Sequence, residues 1–196
     1  MMACPPPARP PAEVPATVQV TSAPPPVPPA PARGITPLPF NAAFIHVDTT
    51  FTAEERAHIR NAATAWRLFT LGEAKLVTVD DLDMASVTED SHRILKVNSK
   101  TSKSLVDMVD AEHPGYTVLA WASIAKHPWT PRRIYVIEDR VDPDQFHWIV
   151  VHEMGHFLGL DDLPTTGDVM SGVGRFKMEW FTPSDLRECQ AARVCK

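Results

Sequence analysis

Fourteen of the chain's 20 prolines lie in its first 39 residues, and that crowding decides where folding can begin. Proline fixes φ and removes an amide donor, so a dense run of it suits neither a helix interior nor a central strand. The same stretch holds almost no large apolar side chains, so burial cannot offset the entropy of ordering it. Residues 1–35 therefore read as a disordered proline-rich leader or tether, and residues 36–196 as a single folded domain. A domain of that length can enclose one hydrophobic core.

The start of the leader supports two readings. Met1-Met2-Ala3-Cys4 runs directly into Pro5 with no charged or apolar export segment, which fits a cytosolic chain. Alternatively, Ala3-Cys4 is what removal of a bacterial lipoprotein export segment would leave, with Cys4 lipidated and the proline tract a semi-rigid spacer. Composition narrows the rest. With 44% hydrophobic and 22% charged residues, the chain is neither wholly disordered nor membrane-embedded. No stretch approaches the ~20 apolar residues of a transmembrane helix. A net charge of −5 argues against a nucleic-acid partner, which demands a basic face.

Within the domain, Phe44–Asp48 is a β-prone run. Thr52 and Glu55 have capping-box spacing, and Ile59, Ala62, Ala63, Trp66 and Phe69 recur at helical spacing, predicting a helix over about 53–70. Lys75–Val79, His92–Val97, Tyr116–Ala125 and Arg133–Glu138 are further strand candidates separated by polar loops. One of these loops carries Asp80, Asp81 and Asp83, which read as a solvated turn while leaving calcium open. Asp142-Pro143 opens a second helix that runs to Gly159, and Thr182-Pro183-Ser184-Asp185 opens a third that reaches about Arg193. The expected fold class is α+β, with a twisted mixed sheet of about five strands and three helices.

Cys189 and Cys195 stand six residues apart. In a continuous helix they would point about 240° apart, so a bridge requires the helix to end first. A C-terminal disulfide in an exported protein is the favoured reading, with two free thiols as the alternative.

The chemistry centres on His152-Glu153-Met154-Gly155-His156 in the second helix. Residues four apart share a helix face, so both imidazoles can reach one zinc ion, with Glu153 placed to act as general base. Gly159 can end the helix in a tight turn, Asp162 offers a carboxylate to complete the metal set, and Met170 follows eight residues later.

These residues resemble the metzincin metalloproteases, whose signature is His-Glu-x-x-His-x-x-Gly-x-x-His followed by a Met-turn. Within that class the chain is most similar to the matrixins. Gly159-Leu160-Asp161-Asp162 stands where matrixins have Gly-Leu-Asp-His, and Leu119-Ala120-Trp121-Ala122 is similar to their edge strand Leu-Ala-His-Ala. The resemblance implies a metzincin-like zinc-protease fold over about 36–196. It also implies one catalytic Zn2+ on His152, His156 and Asp162, with aspartate as third ligand as in snapalysin. Asp161 is the fallback ligand. Met170 would form a floor beneath the metal, and an extended peptide would pair with the edge strand at Leu119, Ala120, Trp121 and Ala122.

Several matrixin features are missing. His113 and His127 read as isolated surface histidines rather than structural-zinc ligands, and Ser171-Gly172-Val173 replaces the Pro-x-Tyr after the Met-turn. Cys4 lacks the context of a cysteine switch, and Trp121 and Trp148 read as packing residues. The expected function is a zinc-dependent endopeptidase, monomeric, acting outside the cell in secreted or surface-tethered form. The alternative is a surface-tethered binding or adhesion module whose zinc site has lost or restricted its activity; intact Glu153 counts against it.

Overall fold

A computed structural model describes residues 42–80, 91–123, 130–172 and 180–195. The leader with Cys4 lies outside the described residues, as do Asp81, Asp83 and His127. The described elements are β1 (Ala42–Val47), α1 (Ala53–Phe69), β2 (Lys75–Asp80), β3 (His92–Val97), α2 (Lys103–Glu112), β4 (Ala120–Ser123), β5 (Arg133–Ile137), α3 (Pro143–Leu158) and α4 (Pro183–Ala191).

The five strands form one mixed sheet in the order β2-β1-β3-β5-β4. The first four in that order are mutually parallel, whereas β4 pairs antiparallel with β5, aligning Trp121 with Tyr135 and Ala122 with Ile134. Parallel neighbours need crossovers, and α1 supplies the one between β1 and β2. Alternation along β1 buries Ala43, Ile45 and Val47 while exposing Phe44, so a single sheet face carries the core. Against that face lie Ile59, Ala62, Ala63 and Trp66 of α1 and Phe146, Ile149, Val150, Met154 and Phe157 of α3. The Trp66 indole N–H, fully buried, donates to the Val151 carbonyl at 2.7 Å and ties the two helices together.

Three helices form where the caps predict them. Thr52 and Glu55 close a reciprocal capping box on α1, Asp142 caps α3 with Pro143 in its first turn, and Thr182 with Asp185 closes a second box on α4. The fourth helix, α2, corrects the three-helix expectation. Its N-cap Ser102 makes no side-chain cap bond, and neither its first nor its last turn carries a charge favourable to the helix dipole. Val106 and Val109 bury its short apolar face, a contact that local signals do not announce. The edge strand is also shorter than the run Tyr116–Ala125: β4 keeps Ala120–Ser123, Leu119 precedes it, and Ile124 and Ala125 lie outside the described residues.

Cys189 and Cys195 are joined in a disulfide. The bridge is possible because α4 ends at Ala191 and Arg193 turns the chain with a φ of 59°. Among the described residues, no helix is long and apolar enough to cross a membrane.

Candidate metal centre

Two turns of α3 and the loop after it build the centre. His152 and His156 project from one face of the helix, which ends at Gly159 with a left-handed φ of 109°. Leu160 N–H then donates back to the Gly155 carbonyl at 3.0 Å, which folds the following residues under the helix end. This reversal brings Asp162 to the histidines. Its Oδ1 lies 3.5 Å from His152 Nε2 and 3.3 Å from His156 Nε2, and the two Nε2 atoms are 3.0 Å apart. Donors bound at ~2.0–2.1 Å to a tetrahedral ion stand about 3.3–3.4 Å from one another, so the triangle has the size of a zinc site. Among the described residues this is the one group of three such side chains that could hold a metal ion. Asp161 is not in it; its amide donates to Glu188 Oε1 at 3.3 Å.

The tautomers also fit. His152 Nδ1 is 2.8 Å from the Val169 carbonyl and His156 Nδ1 is 2.8 Å from the Leu160 carbonyl. A carbonyl only accepts, so each Nδ1 must carry the proton, which leaves each neutral ring's Nε2 lone pair aimed at the common point.

Electrostatics at this point are steep because the helix face is buried. Burial, together with the charge on His156, lowers the pKa of His152 to about 4. Burial opposes charge on His156 too, but the hydrogen bond to Asp162 and the Glu153 and Asp162 carboxylates outweigh it and raise its pKa to about 9. In the absence of a metal ion, a proton on His156 thus supplies the positive charge at the convergence point. Glu153 is wholly enclosed, and burial raises its pKa to about 7 although the Ala122 amide hydrogen-bonds to it. Its Oε2 has no hydrogen-bond partner among the described residues.

No protein-family model matches the chain, and no curated protein matches it.

Met170 is fully buried and packs against α3. A Cβ on Gly155 would stand 2.2 Å from its Sδ and 2.9 Å from Trp66 Cζ2, so only glycine lets the methionine lie between the two ligand turns. Gly172 lies close to the candidate third ligand, where a Cβ would meet the Asp162 Cγ at 2.8 Å and push on a half-exposed side chain. The two segments are stitched together by Leu163 N–H donating to the Met170 carbonyl at 2.6 Å. Sequence spacing alone missed Gly155, Gly172 and Glu188, because each acts on a residue brought near only by the fold.

Of the edge-strand residues, Ala122 reaches the centre through its amide on Glu153. Trp121 faces away and stacks on Tyr135, with ring centroids 4.5 Å apart, as a packing residue does. Trp148 packs partly buried against the core, and His113 is exposed and donates from Nδ1 to the Val109 carbonyl.

Proposed function

We propose that the folded domain is a zinc-dependent endopeptidase of the metzincin type, similar to the matrixins, that cuts extended protein segments outside the cell. The observation that carries the reading is the convergence of His152 Nε2, His156 Nε2 and Asp162 Oδ1 within 3.0–3.5 Å, with both Nδ1 protons committed to backbone carbonyls. A zinc ion held by these three residues would supply a Lewis acid that polarises the scissile carbonyl and makes water acidic enough to attack it.

The chain's own residues supply the rest. Glu153 adjoins the first histidine in sequence, and its Oε2, buried and without a hydrogen-bond partner among the described residues, would take the proton of the attacking water once substrate and water reach it. With a pKa raised to about 7, that oxygen can both accept a proton and return it to the leaving amine near neutral pH. The substrate backbone would pair with the outer edge of β4, antiparallel to which β5 already lies, so that its scissile bond passes over Glu153. The order β2-β1-β3-β5-β4, with an antiparallel edge strand beside the ligand helix, agrees with that placement. The disulfide at the C-terminus suits an oxidising compartment and so supports export.

The test is zinc content per chain, followed by cleavage of an unfolded protein by wild type and Glu153→Ala. One zinc in both proteins and cleavage by wild type alone is the expected result. Stoichiometric zinc with no cleavage by either would contradict proteolysis and leave a binding module.

A further inference from the structure

Asp185 is a carboxylate with no exposed surface, at the third position of α4. Its capping-box duty accounts for part of its contacts: it accepts from the Thr182 amide at 2.8 Å, and its Oδ2 lies 2.9 Å from Thr182 Oγ1. A cap does not need burial. Glu55 holds the same position in the capping box of α1, keeps 25% of its side chain exposed, and pairs with Lys96 at 2.7 Å. Asp185 differs by accepting two more amides from a remote segment, Val169 N–H at 3.1 Å and Met170 N–H at 2.9 Å.

That segment contacts His152 directly and lies against the surroundings of the other candidate ligands. The Val169 carbonyl takes the His152 Nδ1 proton. The Met170 side chain fills the space at Gly155 between the two histidine turns. The Met170 carbonyl takes the Leu163 amide next to Asp162, and Gly172 lies against the Asp162 carboxylate. Two charge-assisted bonds to one buried carboxylate fix where these four contacts sit, and the one from Met170 N–H polarises the Val169–Met170 peptide, whose carbonyl faces the His152 ring.

We propose that Asp185 is a positioning residue for the metal centre, setting zinc affinity through the Val169–Met170 backbone rather than serving only as a helix cap. The inference rests on the zinc reading above. Asp185→Asn keeps the shape but turns one acceptor into a donor facing an amide, so at least one of the two turn bonds is lost. Partners beyond the ligands are worth about 10–100-fold in metal affinity, and a loss of that size is expected here.

The experiment is a chelator-competition measurement of zinc affinity on the whole chain for wild type, Asp185→Asn and Ile45→Val, with cobalt-substituted absorption spectra as a second readout. Ile45→Val loosens the core on β1, which makes none of the contacts named above, and is expected to lower the melting temperature while leaving zinc affinity and the cobalt spectrum unchanged. Asp185→Asn is expected to weaken zinc by about 10–100-fold and to alter the cobalt bands. Equal affinity and identical spectra for Asp185→Asn and wild type would overturn the proposal, while a wild type that takes up no zinc would overturn the metal reading with it. If Asp185→Asn does not fold, hydrogen exchange in wild type decides. Zinc is expected to slow exchange of the Val169 and Met170 amides by more than it slows the amides of β1, and slowing no greater than that of β1 overturns the proposal.

Discussion

The helix that carries His152 and His156 and the loop that carries Asp162 contribute to one site by opposite means. On α3 the two imidazoles are placed by the period of the helix, and burial of the whole face holds them; His152 keeps only 7% of its side chain exposed. Asp162 has 51% of its side chain exposed and is placed by contacts distant in sequence: Gly172 against its carboxylate and the Leu163–Met170 bond beside it. Helix geometry thus sets the spacing of two candidate ligands, and contacts between segments place the third. The helix half should be the harder to replace and the loop half the easier to tune.

The largest effect should come from breaking the helix half. Zinc sites bind with roughly 10–16 kcal/mol shared over a few ligands, so His156→Ala should cost at least about 10³-fold in zinc affinity. Asp162→Ala, at a position that water can enter, should cost about 10²-fold. Competition against a chelator measures both, and an equal or larger loss at Asp162 would reverse the comparison.

Next in size is Glu153→Gln, which leaves the ligands alone. Hydrolysis should fall by about 10²–10⁴-fold with zinc still bound one per chain.

A smaller effect is the pH dependence of loading. His156 is raised to about 9, so at neutral pH it carries a proton that a metal on Nε2 must displace. Zinc affinity should therefore rise by about tenfold per pH unit through neutrality and flatten only near pH 9. Calorimetry in buffers of different ionisation enthalpy would show about one proton released per zinc from this residue at pH 7.5. An affinity already flat above pH 6.5 would mean that Asp162 does not hold the proton on His156.

The smallest effects separate the two glycines. Gly155→Ala drives a methyl into Met170 and Trp66 and should cost about 1–3 kcal/mol of stability, read as a lower melting temperature. Gly172→Ala presses on the end of an exposed side chain that can swing aside. It should change stability little and weaken zinc by less than about tenfold. If the two variants behave alike, the helix and loop halves are not held differently.

The same division explains what could be read from the sequence. Capping residues at Thr52, Asp142 and Thr182 and the apolar periods behind them mark three of the four helices, and β-prone runs mark all five strands, because these signals are local. Helix α2 escapes because it has no side-chain cap and no helpful end charges, only burial of Val106 and Val109. His152, Glu153 and His156 are legible as a spacing. The choice of Asp162 over Asp161 is legible from its place in the motif, but its physical cause is not, since that lies in how the chain turns after Gly159 and in the bond from the Asp161 amide to Glu188. Asp185 is legible as a cap, while its hold on Val169 and Met170 depends on a contact across 15 and 16 positions.

X-ray absorption of the zinc-loaded protein tests the central claim most directly. Two imidazole nitrogens and oxygen donors at about 2.0–2.1 Å, with one imidazole lost in His156→Ala, is the result the account predicts. Sulfur scattering at about 2.3 Å, or a shell unchanged in His156→Ala, would contradict it.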